Sequence, residues 1–91
     1  MNKNLNIGVI ILTYNEEIHI ARCINSIKAI ASQIFVIDSY STDKTVAIAK
    51  RMGAVVLQNT WEDNHAKQLN WGLTHAHFTT DWVLRIDADE I

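Results

Sequence analysis

Short apolar runs alternate with amphipathic segments along most of the chain. Four runs are rich in branched or aromatic residues and lack polar alternation: Ile7–Leu12, Ile34–Ile37, Ala54–Leu57 and Trp82–Ile86. Such runs are typical of parallel strands that are buried on both faces. Three segments between them place apolar residues at helical spacing: Glu16–Ile30, Asp43–Met52 and Asn64–Phe78. The alternation predicts the order β-α-β-α-β-α-β and a parallel sheet with helices on both faces.

The connectivity of such a unit restricts how its strands are arranged. Right-handed crossovers and the commonest doubly wound topology favour the strand order 3-2-1-4 in a Rossmann-like, three-layer α/β/α fold. In that order the chain changes direction across the sheet between strands 1 and 4. We therefore expect a crevice at the carboxyl ends of these two strands, where open α/β sheets bind ligands.

Acidic and hydroxyl-bearing residues follow three of the four predicted strands. Strand 1 leads into Thr13–Glu17, strand 2 into Asp38–Asp43 and strand 4 into Asp87–Glu90. In the last cluster Asp87 and Asp89 can approach one hard cation, and Mg²⁺ or Mn²⁺ favours carboxylates together with substrate phosphates. A solvated acidic turn is the alternative interpretation of that pair.

Three further side chains have two interpretations each. Asp38 can accept a hydrogen bond from a base or a ribose, or else Asp38 or Ser39 can cap the following helix. Tyr14 can stack on a flat ring or cover the sheet, and Lys67 can meet a phosphate, although a solvated helix lysine is the favoured reading. The tryptophans are assigned to packing, and Cys23 is assigned to the core because it lies on the apolar stripe of the first helix.

Composition narrows the class of protein. The 91 residues include 8 basic and 10 acidic side chains, which gives a net charge of −2 and argues against nucleic-acid binding. One cysteine excludes an internal disulfide framework and favours a reducing, cytoplasmic setting. The first apolar run is too short for a signal peptide or a membrane span. The glycine patterns of dinucleotide-binding and P-loop proteins are absent.

Three segments in order resemble family-2 glycosyltransferases of GT-A fold: Ile10–Glu17, Val36–Thr45 and Asp81–Glu90. Trp61 and Ala66–Leu73 are similar to bacterial members that build lipopolysaccharide core, capsule or exopolysaccharide. The resemblance implies inverting transfer of a sugar from a nucleotide-diphosphate sugar of UDP type, with Mg²⁺ or Mn²⁺ as cofactor. It also implies a glycan or lipid-linked acceptor and an enzyme that is cytoplasmic or peripheral to the inner membrane.

The resemblance also assigns roles to individual residues. It implies donor binding by six of them: Thr13, Tyr14, Glu16, Asp38, Lys67 and Asp87. Asp38 would hold the base, Asp87 would lie near the ribose, and Asp89 would join Asp87 on the metal and diphosphate. Lys67 departs from the family pattern because Leu69, and not a basic residue, precedes Asn70.

The length of the chain sets an expectation about activity. Residues 1–91 are interpreted as a single partial domain, the donor-binding half of a truncated GT-A enzyme, with the acceptor half and the general base expected beyond Ile91. The chain alone is therefore expected to be inactive in transfer. Strand 4 would be an open edge that favours self-association. Two alternatives are a magnesium-dependent phosphotransfer module of receiver type and an interaction module without catalysis.

Overall fold

The computed structural model describes residues 6–61 and 64–88. Its elements are β1 (Ile7–Thr13), α1 (Ile20–Ile27), β2 (Ala31–Asp38), α2 (Thr45–Arg51), β3 (Val55–Gln58), α3 (His65–His75) and β4 (Trp82–Asp87). The predicted alternation of strands and helices is confirmed. All three helices are shorter than the sequence predicted, and β2 is longer.

The four strands form one parallel sheet in the order β3-β2-β1-β4, as the topology argument predicted. β1 lies in the centre and pairs with β2 on one side and with β4 on the other. Thr13 lies opposite Asp38 on β2, and Leu12 lies opposite Asp87 on β4. This register brings the ends of three strands to one edge of the sheet.

Alternate residues of the strands face two separate cores. On one face, α1 and α2 cover the side chains of Val9, Ile11 and Val36, all fully buried. Cys23 of α1 belongs to this core and is fully buried, so its assignment to the core is confirmed. The apolar stripe of α1 forms this layer because its residues recur at helical spacing.

The opposite face of the sheet carries α3. Its core is smaller and centres on Ile10, Leu12 and Ile37. Gly72 lets the helix approach closely, because a Cβ atom there would lie 2.6 Å from Cδ1 of Ile10 and 2.8 Å from Cγ1 of Ile37. A helix packed this tightly on β1 and β2 brings its N-terminal end close to the carboxyl ends of those strands.

The two edge strands differ from β1 and β2 in their burial. The prediction that every strand is buried on both faces is wrong for β3, where Val55 is 51% exposed, and for β4, where Trp82 is 65% exposed and Leu84 is 46% exposed. β4 lies at the edge of the sheet; its Ile86 packs against the core beneath α1 and α2, whereas its first four residues are exposed. Within the described residues, no helix is long and apolar enough to cross a membrane.

Candidate functional site

The loop after β1 and the loop after β2 are joined by hydrogen bonds between backbone and side chains. The Asn15 N–H donates to Oγ of Ser41 at 2.8 Å, and the Thr42 N–H donates to Oδ1 of Asn15 at 2.8 Å. Asn15 has a φ of 52°, a left-handed conformation that asparagine tolerates better than most residues. The two loops therefore form one structural unit at the carboxyl edge of the sheet.

Acidic and hydroxyl side chains make further bonds between the same two loops. The Glu17 N–H donates to Oδ2 of Asp43 at 3.2 Å, and the Lys44 N–H donates to Oε1 of Glu17 at 3.0 Å. The Glu16 N–H donates to Oγ1 of Thr45 at 2.8 Å. These bonds hold residues 16 and 17 in a turn, which explains why α1 begins at Ile20 and not at residue 16 as predicted.

The carboxylate of Asp43 accepts several hydrogen bonds, and these lower its pKa. Partial burial acts to raise the pKa of Asp43, but hydrogen bonds from the hydroxyl and N–H of Thr45 and from the N–H of Glu17 outweigh it. The pKa therefore lies below its usual value of 3.8. Asp43 also caps the start of α2 from two residues upstream.

The lowered pKa of Asp43 predicts a pH dependence of stability. A carboxyl whose pKa is lower in the folded state adds stability that is present above its unfolded pKa and is lost as pH falls through the folded pKa. We expect Asp43→Asn to be less stable than the unaltered chain at pH 7, with the difference shrinking below about pH 4. Thermal unfolding of both proteins between pH 7 and pH 3 measures this. A difference that stays constant to pH 3 would contradict the prediction.

Asp38 lies at the centre of this edge and is fully buried. Its Oδ1 accepts hydrogen bonds from the hydroxyls of Thr13 at 2.7 Å and Ser41 at 2.5 Å, and its Oδ2 accepts from the Ser41 N–H at 2.8 Å. Both carboxylate oxygens therefore fix the ends of β1 and β2. Base binding by Asp38 stays a prediction.

An open pocket of about 460 Å³ lies beside these loops and the N-terminal end of α3. Seven residues line it: Leu12, Thr13, Tyr14, Glu16, Ser39, Trp61 and His65. Thr13, Tyr14 and Glu16 were predicted from the sequence as donor-binding residues. The pocket extends over the ends of β1 and β2 towards α3, whereas the expected crevice lay between β1 and β4.

Aromatic side chains form much of the pocket wall. Tyr14 is 56% exposed at the rim, and the rings of Trp61 and His65 meet edge to face with centroids 5.1 Å apart. Trp61, which was assigned to packing, is 43% exposed and lines the pocket. Trp82 is likewise an exposed side chain of β4. A wall of exposed rings is suited to binding a flat, partly polar molecule.

Ser39 and His65 also line the pocket, although ligand binding was predicted from the sequence for neither. A signal for Ser39 was its position one residue after Asp38, at the end of a buried strand. His65 lies in the first turn of α3, and its proximity to Tyr14 arises only from the packing of that helix on the sheet.

Of the remaining predicted residues, Lys67 and Asp87 lie near the pocket without lining it. Lys67 is exposed in the first turn of α3 and does not line the pocket; its N–H donates to Oδ1 of Asn64 at 2.8 Å. Asp87 ends β4 beside Leu12 of the pocket, and Nη2 of Arg85 donates to both of its carboxylate oxygens at 2.9 Å. Asp89 lies outside the described residues.

The side chains at this edge of the sheet include a carboxylate that could be a ligand of a hard cation. Among residues 6–61 and 64–88, no group of three or more histidine, cysteine or acidic side chains is arranged to hold a metal ion. Mg²⁺ usually needs only one or two protein carboxylates, because water and substrate phosphates complete its coordination. Asp87 supplies one partly exposed carboxylate at the sheet edge, so the residues present fit such a cation.

Comparison with solved structures shows the same fold in a larger enzyme. Glucosyl-3-phosphoglycerate synthase from Mycobacterium tuberculosis, crystallised with Mn²⁺, UDP and glucosyl-3-phosphoglycerate, superposes with a TM-score of 0.79 at 28% sequence identity. The match covers 96% of this chain and 34% of the synthase. A further crystal structure of that synthase contains Mn²⁺, UDP-glucose and phosphoglyceric acid and has the same TM-score.

Comparison with known sequences identifies the family. An uncharacterized glycosyltransferase of Rickettsia conorii is 44% identical over 92 residues, which cover 99% of this chain and 32% of the relative. The glycosyltransferase SunS of Bacillus subtilis is 36% identical over 83 residues, covering 89% of this chain and 19% of SunS. This chain thus spans about a third or less of these relatives. The sequence model described as glycosyl transferase family 2 matches residues 8–91, and the chain belongs to this family.

Proposed function

We propose that this chain forms the donor-binding part of an inverting glycosyltransferase that takes its sugar from a nucleotide-diphosphate sugar of UDP type. The observation that carries the proposal is the aromatic-walled pocket at the carboxyl edge of the parallel sheet, next to the carboxylate of Asp87. The similar synthase was crystallised with UDP and Mn²⁺, and this likeness supports the same class of donor.

The pocket has the features that a nucleoside requires. Tyr14, Trp61 and His65 offer ring surfaces for stacking, and Thr13 and Glu16 add polar groups at the strand end. The diphosphate would extend towards Asp87, because this residue pairs with Leu12 of the pocket floor. Lys67 lies on the exposed side of α3 and would reach a phosphate only from the rim. Asp38 would help to hold the base, and its hydrogen bonds fix the two loops beside the pocket.

Asp87 and Asp89 would hold the divalent cation. A bound Mg²⁺ or Mn²⁺ supplies Lewis-acid stabilisation of the charge that develops on the diphosphate leaving group. The part played by this chain is to place the carboxylate of Asp87 next to the nucleoside pocket. Arg85 neutralises Asp87 in the structure, so binding of a cation requires its guanidinium to move away from at least one oxygen.

We assign the acceptor site and the general base to the part of the relatives that this chain does not cover. The acceptor would be a glycan or lipid-linked glycan of the bacterial cell envelope, as in the lipopolysaccharide and exopolysaccharide enzymes that the sequence resembles. None of the 91 residues is assigned as a base, and residues 1–91 are interpreted as a partial domain. The exposed residues of β4 support a contact with further polypeptide or with a second copy.

Titration calorimetry with UDP in the presence of Mn²⁺ tests the proposed function. We expect the unaltered chain to bind UDP, and Asp87→Ala and Asp89→Ala each to lose at least about tenfold in affinity, since even supporting residues of metal sites are worth about 10- to 100-fold. Asp81→Ala is the matched control, because Asp81 is an exposed aspartate just before β4.

Two outcomes would contradict the proposal. Absence of UDP binding by the unaltered chain would remove the donor-binding function. Equal affinity in Asp81→Ala, Asp87→Ala and Asp89→Ala would remove the metal assignment and leave the nucleoside pocket.

A further inference from the structure

Gln68 of α3 is a fully buried polar side chain that lies directly behind the pocket. Its Nε2 donates to Oγ of Ser39 at 2.9 Å, and its Oε1 accepts from Nδ2 of Asn59 at 2.8 Å. The same Nε2 lies 3.5 Å from the carbonyl oxygen of Asn59. A fully buried amide with partners on two strand ends holds these ends in a fixed relation to α3.

The orientation of the Gln68 amide follows from these partners. A backbone carbonyl oxygen can only accept a hydrogen bond, so the NH₂ group of Gln68 must face the carbonyl of Asn59 and, beside it, Ser39. The Asn59 backbone is held in turn, because its N–H donates to the carbonyl oxygen of Asp38 at 2.9 Å. The carboxamide therefore has one favoured orientation in this site.

This orientation decides what the Ser39 hydroxyl can do. A serine hydroxyl has one proton to donate and two lone pairs that accept. Since Gln68 uses one lone pair of Ser39 Oγ, the proton of Ser39 must point elsewhere, and Ser39 lines the pocket. Thr13 differs, because its own hydroxyl proton is used on Asp38.

We propose that Gln68 is a positioning residue that makes the Ser39 hydroxyl a hydrogen-bond donor to a carbonyl oxygen of the nucleobase. The inference rests on the proposed function. The acceptor is assigned to the base because the surrounding pocket wall is formed by Leu12, Tyr14 and Trp61, whose apolar and ring surfaces suit a flat ring. Ser39 then contacts the ligand, and Gln68 acts only through Ser39.

Gln68→Glu reverses the direction of this hydrogen bond with almost no change in size. An ionised carboxylate has no proton to give, so Ser39 would donate to it and present lone pairs to the ligand. We expect UDP affinity at pH 8 to fall about fivefold to tenfold, the worth of one hydrogen bond. Ser39→Ala is expected to lose a similar factor, and the double variant little more, because both changes remove the same contact.

A pH profile separates this positioning role from a merely structural one. Burial raises the pKa of a glutamic acid, and its protonated form has a hydroxyl that can again donate to Ser39. UDP affinity of Gln68→Glu, measured relative to the unaltered chain at each pH, should therefore recover between pH 8 and pH 5.5. The corresponding ratio for Ser39→Ala should stay flat. The factor lost by each variant should be the same with UMP as with UDP, because both ligands carry the base.

Several results would overturn the inference while leaving the proposed function intact. These are unchanged UDP affinity in Ser39→Ala, additive losses in the double variant, or a pH-independent loss in Gln68→Glu. A smaller loss with UMP than with UDP would place the contact at the diphosphate instead of the base. If Gln68→Glu fails to fold by circular dichroism, the Ser39→Ala comparison between UDP and UMP still tests the Ser39 contact, and its failure would overturn the inference. No UDP binding by the unaltered chain would remove both proposals.

Discussion

Asp38→Asn is expected to lower the free energy of unfolding by about 3 kcal/mol, a large effect for a change of one atom. The asparagine oxygen can still accept from the hydroxyls of Thr13 and Ser41. Its NH₂ group, however, would face the N–H of Ser41, which now donates to Oδ2. Two donors would then face each other in a fully buried site, and neither would have an acceptor.

Chemical denaturation measures this effect, and Thr13→Val is the matched control. The valine has the shape of threonine and removes one donor, but Asp38 keeps both bonds from Ser41. We therefore expect Thr13→Val to cost only about 1 kcal/mol. If Asp38→Asn costs no more than Thr13→Val, the carboxylate does not fix the two loops. Asp38→Asn should also weaken UDP binding, because Thr13 and Ser39 of the pocket flank the altered residue.

The alternation of strands and helices follows from local patterns in the sequence, whereas the strand order follows from the general preference for the doubly wound topology. Apolar runs such as Val9–Leu12 are buried on both faces, and Cys23 lies on the buried stripe of α1. Gly53 has a φ of 95° just after α2, the left-handed conformation in which a glycine commonly ends a helix. Local periodicity and turn chemistry determine these features, so one chain suffices to predict them.

The helix boundaries could not be predicted because they depend on contacts between loops. Glu16 and Glu17 fit a helical pattern, but their N–H groups donate to Thr45 and Asp43, which lie beyond the end of the neighbouring strand β2. The burial of β4 also differs from the prediction. The strand has the composition of a buried strand, but it lies at the edge of the sheet and its Trp82 is exposed. Tertiary packing, and not local propensity, decides both features.

The candidate site likewise contains residues that the sequence could place and residues that only tertiary packing places. Thr13 ends β1 and Tyr14 and Glu16 follow it closely, so the doubly wound topology alone was enough to bring them to the ligand-binding edge. Trp61 lines the pocket from the segment after β3, and Gln68 of α3 lies behind the pocket, where the close packing of α3 on the sheet places it against Ser39. That packing depends on one glycine.

Gly72→Val is expected to lower the free energy of unfolding by about 3 kcal/mol, out of a total of about 5–14 kcal/mol for a chain of this size. Any Cβ at this position would lie within 3 Å of Ile10 and Ile37, which are fully buried and have no free space beside them. The melting temperature should fall by about 10–20 °C. Thr74→Val places the same side chain on an exposed turn of α3 and should change stability by less than about 0.5 kcal/mol.

Combining a larger residue on α3 with a smaller one on β1 tests whether close packing causes the loss of stability at Gly72. Alanine is favoured over glycine inside a helix by about 1 kcal/mol, so Gly72→Ala would stabilise the chain if the space were open. We expect it to destabilise, because the atom nearest to the added Cβ is Cδ1 of Ile10. Ile10→Val removes that atom and alone should cost about 0.5–1.5 kcal/mol. In the Gly72→Ala background the same change should cost less or restore stability; additive losses would mean that α3 does not depend on this contact.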